Sequence, residues 1–276
     1  MANCYNRSKA FIMKNKFNII HHYFTKLYEY SVALQKNFDA ESIHAFRVTA
    51  KKLRALLRML RCSKPGNKTM KLSRRIKNMY LLTGKIRDLQ LCLQKINTPD
   101  CSKDPECLKQ ISCFEHALKK LKKKKEDIPG RKEFSDVCKR LKHALPARID
   151  DNAVKKFFRQ KMEAVSTIHK QPVYEDDDLH TARKCIKDVI YIIKIYQDDM
   201  QLPLPFMPWN KKELQKAEHI AHILGLFNDA RIELDLLQSV CISKPGSHNI
   251  YSKWQKEKSK LKNKAVRSLC ANHIYK

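Results

Sequence analysis

The chain has 276 residues, 43% of them hydrophobic, which is enough to bury a sizeable core and excludes a disordered tail. Its 57 Lys and Arg against 28 Asp and Glu give a formal net charge of +29. An excess of that size repels itself and calls for an anionic counterpart: nucleic acid, an acidic membrane surface, an acidic protein or a condensed phosphate polymer.

Five glycines and ten prolines divide the chain into long segments of helical periodicity. In chain order, helices are predicted near 9–37, 41–62, 68–96, 106–126, 131–145, 150–170, 177–200, 211–241 and 249–274. The breaks fall at Pro65-Gly66, Pro99, Pro105, Pro129-Gly130, Pro146, Pro172, Pro203, Pro205, Pro208 and Pro245-Gly246. No segment sustains period-two alternation, so the expected class is all-α. Met1 to Phe17 lacks an apolar block of signal-peptide length, and no run reaches the roughly 18 apolar residues of a membrane span. The ten cysteines contain no Cys-x-x-Cys pair, and Cys101, Cys107 and Cys113 are spaced too evenly for a zinc knuckle. Most are expected as free thiols in a reducing compartment, the cytoplasm.

Two of these helices carry the same basic ladder. His44, Arg47, Lys51, Arg54 and Arg58 step by three and four, and His180, Arg183, Lys187 and Lys194 by three, four and seven, at an offset of 136 residues (180 minus 44). Such spacings share one helix face. At 100° per residue from His44, the other basic residues fall between about 280° and 340°. Phe46, Leu53, Leu56, Leu57 and Leu60 fall between about 120° and 220°, so the basic face is backed by a core face. Ala182, Ile186, Val189, Ile192, Ile193 and Tyr196 repeat that core face in the second copy. Asp39 and the run Asp176-Asp177-Asp178 stand where caps and first-turn acids help a helix begin.

A basic stripe is ordinarily a solvated helix face. Here carboxylates at i±4, which usually lace such a face, are nearly absent, and a histidine heads both copies in the same register. His44 and His180 read as phosphate donors, favoured in the protonated form beside an anion, in preference to catalytic groups.

The duplication extends further. Leu82-Thr83-Gly84-Lys85-Ile86-Arg87-Asp88 matches Ile223-Leu224-Gly225-Leu226-Phe227-Asn228-Asp229, offset by 141 at the glycine (225 minus 84). A glycine inside a helix costs roughly 1 kcal/mol against alanine, so the shared position suggests close helix approach. Asp88 and Asp229 are lone carboxylates in their motifs and read as holders of a neighbouring cation. The run Lys122 to Lys125 is a weak localisation-like signal or a solvated helix end. The expected organisation is one domain, 1–276, made of a first half over 9–128 and a second over 130–275, each with four long elements.

The motif Ile43-His44-Ala45-Phe46-Arg47-Val48, followed by Lys51-Lys52-Leu53-Arg54, resembles the first histidine helix of the CHAD family. Leu179-His180-Thr181-Ala182-Arg183, with Lys187 and Tyr191, resembles the second, and Arg87-Asp88 and Leu224-Gly225 with Asn228-Asp229 resemble the accompanying motifs. The resemblance spans roughly residues 15 to 270. It implies two pseudo-symmetric four-helix bundles around a basic central pore that binds inorganic polyphosphate without catalysis. The pore residues it implies are His44, Arg47, Lys51, Arg54, Arg58, His180, Arg183, Lys187 and Lys194, with Arg75 and Arg87 beside them. No metal, cofactor or membrane is expected; sulfate or phosphate ions would also fit, and polyphosphate granules are one expected location. Ile190 stands where the first copy has Arg54, so the first ladder is expected to hold the polymer more strongly.

Two other classes compete. Single-strand nucleic-acid readers interleave aromatics with their cations, and neither basic face carries one except the marginal Tyr191, which disfavours RNA or DNA. A phosphohydrolase needs carboxylates for Mg²⁺, and the chain has no His-Asp dipeptide, no P-loop and no strand of alternating glutamates. It is expected not to be an enzyme.

Overall fold

The computed structural model describes residues 2–63, 66, 70–97, 104–146, 151–201, 203–204, 206–241, 248–271 and 274, with side chains from residue 18 onward except at 126, 241, 248 and 249. Among the described residues there are nine α-helices and no strand. They are α1 (Ala2–Lys36), α2 (Ala40–Ser63), α3 (Arg74–Ile96), α4 (Pro105–Lys122), α5 (Arg131–Ala144), α6 (Asp151–His169), α7 (Asp176–Lys194), α8 (Lys211–Leu236) and α9 (His248–Ala271). Pro65, Pro99, Pro205, Pro245, Gly246 and Cys101 lie outside the described residues.

Local chemistry sets the starts. Asp39 caps α2 by accepting the Ser42 amide at 2.7 Å. Helix α3 begins at Arg74 and not at 68, because Ser73 Oγ accepts the Ile76 amide at 3.3 Å and residues 70–73 are not helical. Asp104 caps α4 ahead of Pro105, whose missing amide proton is harmless at a helix start. Asn210 and Glu213 exchange side-chain and backbone bonds at 2.8 and 2.9 Å at the head of α8. Asp178 of α7 accepts the Glu175 amide at 3.0 Å, so Glu175 precedes the acidic run as the cap. Helix α4 tightens into a 3-10 turn over Lys123–Asp127, while α7 and α8 each widen into a π turn, Ile195–Asp199 and Leu237–Cys241.

The predicted core faces are buried: Ile43, Phe46, Leu53, Leu56, Leu57 and Leu60 of α2 and Leu179, Ala182, Ile186, Val189, Ile192 and Ile193 of α7 are at most 2% exposed. Full burial of each such side chain favours folding by roughly 1.5–3 kcal/mol. A smaller cluster of Leu89, Cys92, Phe114, Leu234 and Trp254 closes the far ends of α3, α4, α8 and α9.

The neighbour relations come in pairs. Helix α1 packs on α2 as α6 does on α7, α2 on α3 as α7 on α8, and α3 on α4 as α8 on α9, while α2 meets α7 and α3 meets α8 at the centre. That is the pairing two related halves would give. Helix α5 stands outside this pairing and packs on α1. Cys62, Cys113, Cys138, Cys185 and Cys270 are free thiols; the side chains of Cys4 and Cys241 lie outside the described ones. Among the described residues no helix is long and apolar enough to cross a membrane.

Candidate functional site

The two ladder helices cross antiparallel. Lys52 of α2 binds Asp199 past the end of α7 at 3.0 Å, whereas Arg58, farther along α2, pairs with Asp188 in the middle of α7. The middle rungs lie next to these ties, Lys51 beside Lys52 and Lys187 beside Asp188. Lys51 is half-buried within electrostatic reach of Arg47 on its own helix, Arg183 and Lys187 on α7, and Asp229 on α8. The crossing therefore merges the two ladders into one row.

The helical glycines make room for that row. A Cβ at Gly84 would meet the guanidinium of Arg47, with Cζ at 3.2 Å and Nη2 at 3.4 Å; at Gly225 it would meet Arg183, with Nε at 3.4 Å. The shared glycine thus accommodates a ladder arginine, not the backbone of a neighbouring helix. Arg47 Nη1 donates to the Tyr80 carbonyl at 3.0 Å. Its guanidinium and that of Arg54 stand over the Tyr80 ring, 4.8 and 5.0 Å from the centroid. Sequence reasoning missed this aromatic because α3 supplies it, although Tyr80 lies one turn before Gly84 and therefore on its face.

The row is under-neutralised. Lys51, Arg183 and Lys187 form no hydrogen bond or ion pair with any described residue, and Arg183 Nε is buried without an acceptor. Burial, then the charges of Arg47 and Arg183, brings the Lys51 ammonium down to about 8 from 10.5. Burial and Arg183 lower Lys187 in the same sense. Asp88 and Asp229, lone carboxylates in sequence, come within reach of each other here. Burial is the main cause raising Asp88 to about 6, and Asp229 adds to it while Arg47 opposes. Neither carboxylate clamps a cation as expected: among the described residues neither forms an ion pair, and Asp229 accepts only from Asn228 Nδ2, at 3.4 Å.

A family model, the CHAD domain, matches residues 18–238. The chain belongs to the CHAD family. The crystal structure of the CHAD domain from the plant Ricinus communis has the same fold, with a TM-score of 0.67 at 13% identity over 94% of this chain and 91% of that one. No curated protein matches the sequence.

The remaining candidates of this CHAD chain are distributed unevenly. His44 is exposed at the head of α2. His180 is half-buried, and its Nδ1 lies 2.7 Å from Asn228 Oδ1. Because Asn228 Nδ2 faces Asp229, its Oδ1 faces the imidazole, which puts the ring proton on Nδ1 and leaves Nε2 as an acceptor. Burial lowers the His180 pKa, the opposite of the effect a neighbouring anion would have on this ring.

Both C-terminal rungs are tied to carboxylates. Asp188, only 5% exposed, takes Arg58 and Lys161, and Lys194 takes Glu218 at 2.6 Å. Arg87 is half-buried next to Asp88. Arg75 is exposed and lines a separate groove of about 400 Å³ with Lys85, Lys124 and Asp127. Ile190 is buried, 2% exposed, so the second ladder lacks that rung altogether. Among the described residues no group of three or more His, Cys, Asp or Glu is arranged to hold a metal ion.

Proposed function

We propose that the chain is a non-catalytic module that binds inorganic polyphosphate along the row where α2 and α7 cross. The observation that carries this reading is the set Lys51, Arg183 and Lys187: three half-buried cations from both halves with no acceptor. Half-burying like charges side by side is unfavourable unless counter-charge arrives. With Arg47 and Arg54 they form a row longer than one phosphate can neutralise, whereas a flexible polymer with a charge on every unit meets successive rungs. Arginine offers bidentate contacts and lysine a point charge, so both suit phosphate oxygens. By analogy with counter-ion release, engagement of five cations gives a slope near −4 for log affinity against log salt. The reading carries a cytoplasmic setting with it, including polyphosphate granules, which microscopy of a tagged chain tests.

Calorimetric titration with long-chain polyphosphate at moderate salt should give binding that is lost when Arg47, Lys51, Arg183 and Lys187 are all changed to Ala. Unaltered binding in that variant would remove the reading.

A second reading, RNA binding, draws on Tyr80, an aromatic among the cations. Two guanidinium groups already stand over its ring, which disfavours base stacking there. Displacement of polyphosphate by RNA at equal phosphate concentration would favour the second reading. A hydrolytic role would instead appear as orthophosphate release with Mg²⁺, abolished by Asp88→Ala.

A further inference from the structure

The central row continues at one end into a cleft of about 210 Å³ between the C-terminal half of α2 and the start of α3. Its polar lining is Arg54, Arg58, Arg61, Lys71, Lys77 and Tyr80, with no carboxylate among the lining residues. Arg54 and Tyr80 belong to both the row and the cleft, so the two are continuous. Arg58 Nε is buried there without an acceptor, although the opposite side of its guanidinium pairs with Asp188. From Lys51 to Arg61 α2 rises about 15 Å, so the Arg61 end of the cleft lies beyond the reach of a ligand confined to Lys51 and its neighbours.

An internally duplicated molecule would have a matching cleft at the C-terminal end of α7. The offsets of 136 and 141 set Arg54 against Ile190, Arg58 against Lys194, Arg61 against Gln197, Lys77 against Glu218 and Tyr80 against Ala221. Three cations are lost or reversed, at Ile190, Gln197 and Glu218, and the Tyr80 ring is lost at Ala221, while Arg58 and Lys71 keep cations as Lys194 and Lys212. Ile190 and Ala221 are buried apolar groups, and Lys194 is tied to Glu218 at 2.6 Å. That these two counterparts meet each other, as Arg58 and Lys77 share one cleft, supports the correspondence. One end is built for anions and the other is neutralised.

We infer that the polyanion runs one-sidedly, leaving the crossing only through the α2–α3 cleft, which is a further subsite for the later units of a phosphoanhydride chain. This rests on the polyphosphate reading above. The cleft adds affinity only for chains long enough to reach it, so it sets a length preference. Restoring charge to the α7 end opens a second course.

The test compares tripolyphosphate with long-chain polyphosphate by calorimetry on the full chain. Arg61 and Lys77 are exposed, so Arg61→Ala/Lys77→Ala leaves the packing of the helices intact. The expected result is about tenfold weaker binding of the long chain, a salt slope shallower by roughly 1.5, and unchanged tripolyphosphate binding. Glu218→Gln, which frees Lys194, is expected to strengthen long-chain binding severalfold. Equal loss for both ligands, or no loss for either, overturns the inference while leaving the central site standing. Failure of the unsubstituted chain to bind any polyphosphate overturns the reading beneath it as well.

Discussion

The guanidinium of Arg47 occupies the space that a side chain at Gly84 would fill. Alanine at 84 therefore displaces the arginine end, not a backbone. The loss of its bond to the Tyr80 carbonyl, worth about 1 kcal/mol, is offset by a helix-propensity gain of similar size. Gly84→Ala is expected to melt within a few degrees of the parent and to bind polyphosphate roughly tenfold more weakly. At Gly225 the nearest Arg183 atom is 3.4 Å away, so Gly225→Ala should weaken binding less than threefold. Equal effects at the two positions, read by melting curves and titration, would contradict this account.

Lys51 is held among cations at a cost to the fold, because its folded pKa, about 8, is below its ordinary 10.5. Replacing such a charge by an apolar group of similar length is commonly stabilising. Lys51→Met is expected to raise the melting temperature by roughly 2–6 °C while lowering polyphosphate affinity at least tenfold. A variant that loses both stability and binding would mean that the residue is structural.

The pH dependence follows from two shifts whose signs agree for binding. Lys51 is charged below about 8, and an anion favours that form, so affinity falls as pH rises through 8. Asp88 becomes neutral below about 6 and stops repelling the ligand, so affinity rises as pH falls through 6. For stability the two act oppositely. Asp88 has a raised folded pKa, and its contribution is lost as pH rises from about 4 to 6. Lys51 has a lowered one, and its contribution is lost as pH falls from about 10.5 to 8. Titration near pH 8 in buffers of different ionisation enthalpy should report proton uptake on binding. Uptake that persists in Lys51→Met would assign the proton elsewhere.

Asp188 holds Arg58 of α2 and Lys161 of α6 against α7 from a nearly inaccessible position. Asp188→Asn leaves both cations without their carboxylate. It is expected to lower unfolding free energy by about 3 kcal/mol in urea denaturation, a change near zero arguing that the ties are energetically idle.

The helices were legible because glycine and proline are costly inside them, and the two ladders because the helix repeat places residues three and four apart together. What could not be read was what a neighbouring helix brings to a face. Tyr80 and Asp188 lie far in sequence from the rungs they touch, and a helical wheel of α2 contains neither. Signals for both existed: Tyr80 sits one turn before Gly84, and Asp188 is the one acidic residue of α7 beyond its first turn. Spacing marks the glycine pair as special, but nothing in spacing distinguishes a neighbouring helix from an arginine end. Placement of α5 on α1 was equally hidden, since an amphipathic helix shows that it packs and not where.

Arg47 is anchored through a peptide carbonyl, so its orientation is fixed while no carboxylate among the described residues pairs with it directly. An arriving anion therefore has no ion pair with a described residue to break at that rung. Association is then governed by encounter in a strong positive field, a kinetic regime in which rates approach the diffusion limit at low ionic strength and fall steeply with added salt.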